Sequence, residues 1–123
     1  MKKKKRYRWR KLPEAHDYPA AESYLQLLYN KPTATQLVKK LRAAPVREFK
    51  AKDIFRAYAL RLLPLNNFHV RADRKKIVKG RKVSPLLLVR DPGLGKVIIA
   101  DGYHRLCAVY WMNEDAVIPC KIV

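Results

Sequence analysis

At 123 residues the chain has the length of one domain with a single core, and no apolar run in it approaches the roughly 18 residues of a transmembrane helix. Its 28 Lys and Arg against 10 Asp and Glu give a formal net charge of +18, far more than solubility requires. Such a field attracts polyanions: nucleic acid first, anionic membrane second, and nucleotides in any case.

The basic N-terminus is followed by no apolar segment, so a secretory signal is not expected, and the expected location is cytoplasmic, with the nucleoid as one site within it. Cys107 and Cys120 lack a CxxC spacing and lie in apolar stretches, where a reduced core thiol is the simplest role. His16, His69 and His104 follow no ligand pattern, so no structural metal is expected.

Residues 1–12 read as a basic arm, disordered in isolation, with Tyr7 and Trp9 interleaved among lysines and arginines. The cations suit phosphates and the two aromatics suit stacked bases of a single strand; a nonspecific tail is the plainer alternative. Residues 13–45 read as a helical hairpin. Its first helix is expected over about Ala20–Tyr29 with Tyr24, Leu27 and Leu28 as the apolar face, widened by Leu25, and Lys31-Pro32 stops it. Thr33 or Thr35 caps a second helix whose stripe is Leu37, Val38 and Leu41, with Lys39, Lys40 and Arg42 on the other side and Pro45 at its end. The pair reads as packing rather than as a helix-turn-helix, because it carries no recognition-helix signature.

Residues 46–123 form the main domain. Val46–Phe55 reads as a strand or extended segment, and Arg56–Leu63 as helix or loop ended by Pro64. A short helix is expected over about Ala72–Lys79, with Gly80 as its C′ residue and a dense set of cations around it. Leu86–Val89 is a continuous apolar run typical of a buried central strand. Asp91–Gly95 is a turn, Val97–Ala100 a second strand, and Ile118–Val123 a last strand whose Pro119 marks an edge or first position. The expected architecture is α+β: a mixed sheet of about four strands with helices on one side and the hairpin appended.

The chemistry concentrates at Asp101-Gly102-Tyr103-His104-Arg105, between the second strand and a helix that is apolar nearly all round from Leu106 to Met112. A helix starting near Tyr103 offers free backbone N–H groups and the positive end of its dipole, where acids are the usual choice. His104 and Arg105 add positive character there instead, which makes sense if an anion such as phosphate occupies the spot. Gly102 permits close approach or positive φ, and Asp101 can cap the helix or hold a cation. The same residues also fit an ordinary strand–helix junction whose His and Arg face water.

The ordered motifs from LRLLPLNNFHV through RADRKKIVKGRKVSP and PLLLV to DGYHRLCA and VIPCKIV resemble the ParB/sulfiredoxin superfamily over about Phe49–Val123. The resemblance implies that His104 and Arg105 bind nucleotide phosphates, and its register brings His69, Arg71 and Lys76, in and just before the preceding helix, with Ser84 at the turn, to the same phosphates. It implies a nucleoside triphosphate such as ATP or CTP, with Mg²⁺, as ligand. Tyr103 stands where sulfiredoxins carry their catalytic cysteine and where partition proteins carry a Glu, so neither sulfinic acid reduction nor that kind of CTP hydrolysis is inherited. The Asp-Gly-x-His-Arg form is most similar to the free-serine-kinase-like members, which need a carboxylate base; Glu48 and Asp53 are the two nominations.

The leading expectation is therefore a nucleotide-phosphate-binding module that also contacts nucleic acid through its basic surface. The alternatives are a nucleotide-dependent phosphotransferase or hydrolase, and a DNA-binding accessory protein with a vestigial pocket. A nuclease is the least favoured, since no carboxylate cluster is present to hold catalytic metals.

Overall fold

The computed structural model describes residues 7–59 and 61–123. In chain order the elements are α1 (Asp17–Leu25), α2 (Lys31–Ala43), β1 (Val46–Lys50), α3 (Ala51–Tyr58), α4 (Phe68–Val78), β2 (Leu86–Asp91), β3 (Lys96–Asp101), α5 (Tyr103–Met112) and β4 (Val117–Ile122). The fold is α+β, with one four-stranded mixed sheet ordered β1-β4-β2-β3. β2 and β3 form an antiparallel hairpin, closed where the Leu94 N–H donates to both the backbone and the side-chain oxygen of Asp91. β4 runs parallel to β2, beginning at the pair Leu86 with Cys120, and antiparallel to β1.

Alternation along β2 explains the layers. Leu86 and Leu88 point into one core with Ile99, Leu106, Val109, Ile118, Val70 and Ile77, which is the face covered by α3, α4 and α5. Leu87 and Val89 point the other way, into a second core with Ile98, Ala100, Tyr18, Ala21, Leu25, Val38 and Leu41. The hairpin α1–α2 is thus not an appendage, as the sequence reading had it, but the cover of the second sheet face. A strand apolar at every position needs a layer on both sides.

Details of the hairpin differ from expectation for local reasons. α1 begins at Asp17, three residues early, because Pro19 falls among the first N–H positions that have no intrahelical acceptor to lose. Its buried face is Tyr18, Ala21 and Leu25, whereas Tyr24, Leu27 and Leu28 are exposed, Leu27 at 80%. Helix α2 is capped not by a threonine but by Asn30, whose side chain accepts from the Thr33 N–H, and Lys31-Pro32 opens this helix rather than merely stopping the last. Lys121 of β4, only 4% exposed, donates to the Arg42 carbonyl at 2.8 Å, placing a cation at the negative end of α2. The Arg42 guanidinium in turn lies 4.3 Å from the Tyr18 ring centre.

Pro119 is neither at an edge nor first in its strand: β4 lies inside the sheet, and the pairing with β2 begins only at Cys120, so the missing N–H breaks no bond on that side. Residues 1–6 of the expected arm lie outside the described residues. Its remainder is docked: Trp9 pairs with Val83, with the Arg10 N–H donating to the Val83 carbonyl and the Val83 N–H to that of Arg8. Tyr7 and Trp9 are half-buried against the first core, which removes them from the base-stacking role expected of them. No helix among the described residues is long and apolar enough to cross a membrane.

Leu87→Ala should test the two-faced strand. Leu87 is fully buried in the second core, so the truncation should destabilise the protein by about 2–5 kcal/mol in denaturant titrations, as for any large-to-small change in a tight core. A loss below about 1 kcal/mol would mean that the hairpin covers that face only loosely.

Candidate functional site

The Asp101–Arg105 junction lies at the end of β3 and opens α5, facing α4 across the first core. Gly102 is the N-cap at φ +108°, a conformation that side chains rarely adopt. A Cβ there would lie 2.8 Å from Leu86 Cγ and 2.9 Å from the Arg105 guanidinium, so glycine is required by shape as well as by φ. No side chain caps the helix, and its first turn carries no acid. The N–H groups at this positive helix end are therefore left to something other than a side-chain cap.

Asp101 does not cap α5; it holds Arg105. The guanidinium donates from Nη2 to Asp101 Oδ2 at 3.0 Å and to the Pro85 carbonyl at 3.4 Å, and both side chains are under one-fifth exposed. Arg105 Nε is buried and has no partner among the described residues. Burial pushes the Asp101 carboxyl up, and the charge and hydrogen bond of Arg105 pull it back. Tyr103 closes the other flank, its hydroxyl donating to the Arg61 carbonyl at 2.6 Å and its ring 5.5 Å from Tyr58.

Helix α4 supplies the opposing wall. Asn67 caps it, accepting from the N–H groups of His69 and Val70, and Gly80 ends it at φ +76° with the Gly80 and Arg81 N–H groups bonded back to Ile77 and Lys76. His69 and His104 lie ring to ring, 4.7 Å between centres and tilted by 41°. Asp73, one turn after His69 on α4, is pushed up by burial and pulled back by the charges of Arg105, Lys76, His104 and His69. His104 is pushed below the ordinary histidine range, by burial first and then by the neighbouring charge of His69 and, less strongly, of Arg105, while Asp73 works in the opposite direction.

Of the residues expected at the phosphates, Gly102, Tyr103, His104 and Arg105 share the start of α5, His69 lies against His104, and Asp101 is paired with Arg105, whereas Lys76 stands two turns along α4 from His69 and lines a groove beside Gly80. Arg71 does not join them: two positions from His69, it projects about 200° round the helix, onto the exposed opposite flank. Ser84 is buried beside the docked arm, its hydroxyl donating to Glu14 Oε1 at 3.4 Å rather than facing the junction. Neither nominated base is present at the junction. Glu48 is exposed on edge strand β1, opposite Pro119, and Asp53 pairs with Arg56 on α3 and lines an apolar recess with Phe49, Leu88 and Ile122.

The acid at the site is Asp73, which the sequence reading missed. Two signals were available: it is the one acid in Arg71–Lys82, and the spacing His69, Asp73, Lys76 places all three on one helical stripe. Cys107, one turn into α5, is buried with its thiol pushed up by burial, so it is a core thiol rather than a ready nucleophile. The donor set does not suit a protein-held Mg²⁺ either. Asp101 is engaged by Arg105, and among the described residues no three His, Cys, Asp or Glu side chains converge as ligands. No protein-family model, curated protein or solved structure matches the chain.

Gly102→Ala should destabilise the fold by about 2–4 kcal/mol in chemical denaturation, from positive-φ strain plus the contact with Leu86. An unchanged midpoint would show that the junction relaxes freely. His104 gives a pH signature as well. Its proton affinity is lower folded than unfolded, so below the ordinary histidine pKa the unfolded chain takes up more protons through it and the fold weakens. His104→Asn should make the denaturation midpoint fall less than that of the unsubstituted protein between about pH 7.5 and about pH 5.5. Parallel pH profiles for the two proteins would refute the shift.

Proposed function

We propose that the chain is a phosphate-binding module of the ParB/sulfiredoxin kind, taking a nucleotide phosphate at the start of α5 and contacting nucleic acid through its basic surface. One observation carries this reading: His69 and His104 lie ring to ring beside Arg105 at the uncapped start of α5, with Asp101 held on Arg105 and Asp73 within reach of their charges. Two imidazoles, a fixed guanidinium and helix N–H groups match the several acceptor oxygens of a phosphate. The net charge of +18 supplies the long-range attraction. The resemblance of the motif order to that superfamily points to the same ligand class, with ATP or CTP as the nucleotides to try and any Mg²⁺ arriving with the phosphates.

In this reading the residues divide the work. Arg105, anchored by Asp101 and the Pro85 carbonyl, is a preset positive charge that needs no reorganisation when the ligand arrives. His104, held neutral by its surroundings, gains a proton as the phosphate binds and becomes a second donor. A phosphotransferase is the second reading, favoured by the neutral His104 lying within the field of Asp73. An imidazole beside a carboxylate is an arrangement able to take a proton from an attacking hydroxyl.

Thermal and calorimetric titration with each nucleoside triphosphate, with and without Mg²⁺, tests the module. A ligand at a hundred times its dissociation constant should stabilise the protein by about 2.7 kcal/mol. His104→Ala should weaken that binding by about 1.5–3 kcal/mol with little change in the stability of the free protein near neutral pH. Arg105→Ala should reduce both, because it leaves the half-buried Asp101 unpaired. If no triphosphate stabilises the protein, the pocket is vestigial and the module reading falls.

A further inference from the structure

An open groove of about 520 Å³ lies beside the last turn of α4, lined by Arg8, Arg10, Glu14, Lys76, Arg81 and Lys82. One wall is the docked segment around Trp9, and the other is the last turn of α4 with the Gly80 turn that follows it. Of its five cations Arg10 alone has a carboxylate partner among the described residues, Glu14 at 3.1 Å. Arg8 is steadied by the Gly80 carbonyl at 3.2 Å, which leaves its charge uncompensated. Lys76, Arg81 and Lys82 form no ion pair among the described residues. Like charges held this close repel one another, and a polyanion lying between them relieves that repulsion.

Lys76 connects the groove to the cluster. It lines the groove, and it stands one turn from Asp73 on the same stripe of α4 as His69. We propose that the groove tracks the backbone of a single-stranded nucleic acid and leads its terminal phosphate to His69 and His104, so that the ligand of the site is the phosphomonoester end of a strand. This rests on the phosphate reading of the cluster and narrows it.

Three features favour such a strand. The groove is lined by cations and offers no aromatic face, because Trp9 and Tyr7 are turned into the core; it therefore holds phosphates and leaves bases unread. It is a concave channel, which a single flexible strand can enter while a stiff duplex meets only its rim. A terminal phosphomonoester near neutral pH carries close to two charges and three free acceptor oxygens, against one charge and two oxygens for a phosphate within the chain. Two histidines, a lysine and a helix start match the richer group.

Fluorescence anisotropy on the full chain tests this, using oligonucleotides of about eight nucleotides with a 5′-phosphate, a 3′-phosphate or hydroxyls at both ends, and a phosphoserine peptide of equal charge. One of the two phosphorylated strands should bind about tenfold more tightly than the hydroxyl strand, the ratio that identifies which end is taken. His104→Ala should abolish that ratio while retaining affinity for the hydroxyl strand. The double variant Arg81→Ala/Lys82→Ala should weaken every oligonucleotide more than it weakens a nucleoside triphosphate, and should flatten the logarithmic salt slope by about 1.4. Equal affinities for phosphorylated and hydroxyl strands, in a protein that triphosphates still stabilise, would overturn the terminal-phosphate inference alone. Absence of both effects would overturn the phosphate site with it. A phosphoserine peptide binding as tightly as the best oligonucleotide would overturn the choice of nucleic acid.

Discussion

Strand β2 must be covered twice, and the architecture follows from that demand. Leu86 and Leu88 need one apolar layer and Leu87 and Val89 another, so a single-faced sheet would leave half of the most hydrophobic run in water. The hairpin α1–α2 meets the second requirement and is fastened by polar contacts at its far end, where Lys121 reaches the Arg42 carbonyl and Arg42 lies over Tyr18. A lysine buried in a β-strand is expensive to desolvate, and it is tolerated here because a helix C-terminus supplies both an acceptor and a negative potential.

The same strand fixes the junction. The Pro85 carbonyl, immediately before β2, accepts from Arg105, and Leu86 fills the space against which Gly102 closes. The shape of the α5 start is thus set by the centre of the sheet, not by a surface loop. Arg105 is consequently half structural and half free: Nη2 is committed to β3 and to Pro85, while Nε is buried with its bond unmade. A buried donor left without a partner works against the fold.

Much of the fold was legible because its signals are local. Continuous apolar runs marked β2 and β3, Asp101-Gly102 marked the break, and Gly80 marked the end of α4. What escaped was decided by tertiary packing. Tyr24, Leu27 and Leu28 have helical spacing and lie in water, since the helix turned Tyr18, Ala21 and Leu25 to the sheet instead. Which side of the sheet the hairpin would take had no local signal at all. At the site, nearness in sequence misled twice. Arg71 is two residues from His69 yet on the opposite flank, and Ser84, although next to Pro85, turns to Glu14, just past the arm. Asp73 was overlooked because a lone acid among cations reads as a solvated ion pair until the facing helix is known.

The docked arm has a further consequence, which concerns motion. Around Trp9 the chain is held by two backbone hydrogen bonds to Val83 and by one from the Arg8 side chain to the Gly80 carbonyl, with half-buried Tyr7 and Trp9 as its apolar anchors. So small a set of contacts is worth less than the sheet, so local opening of this segment costs less than global unfolding. When it opens, Arg8 and Arg10 leave together, and the channel beside α4 loses one of its two walls. The channel therefore has both of its walls only while this segment is docked. Any anion that bridges Arg8 to Lys82 adds to the closed state alone, so occupancy and closure rise together, and salt that screens the bridge lengthens the time spent open.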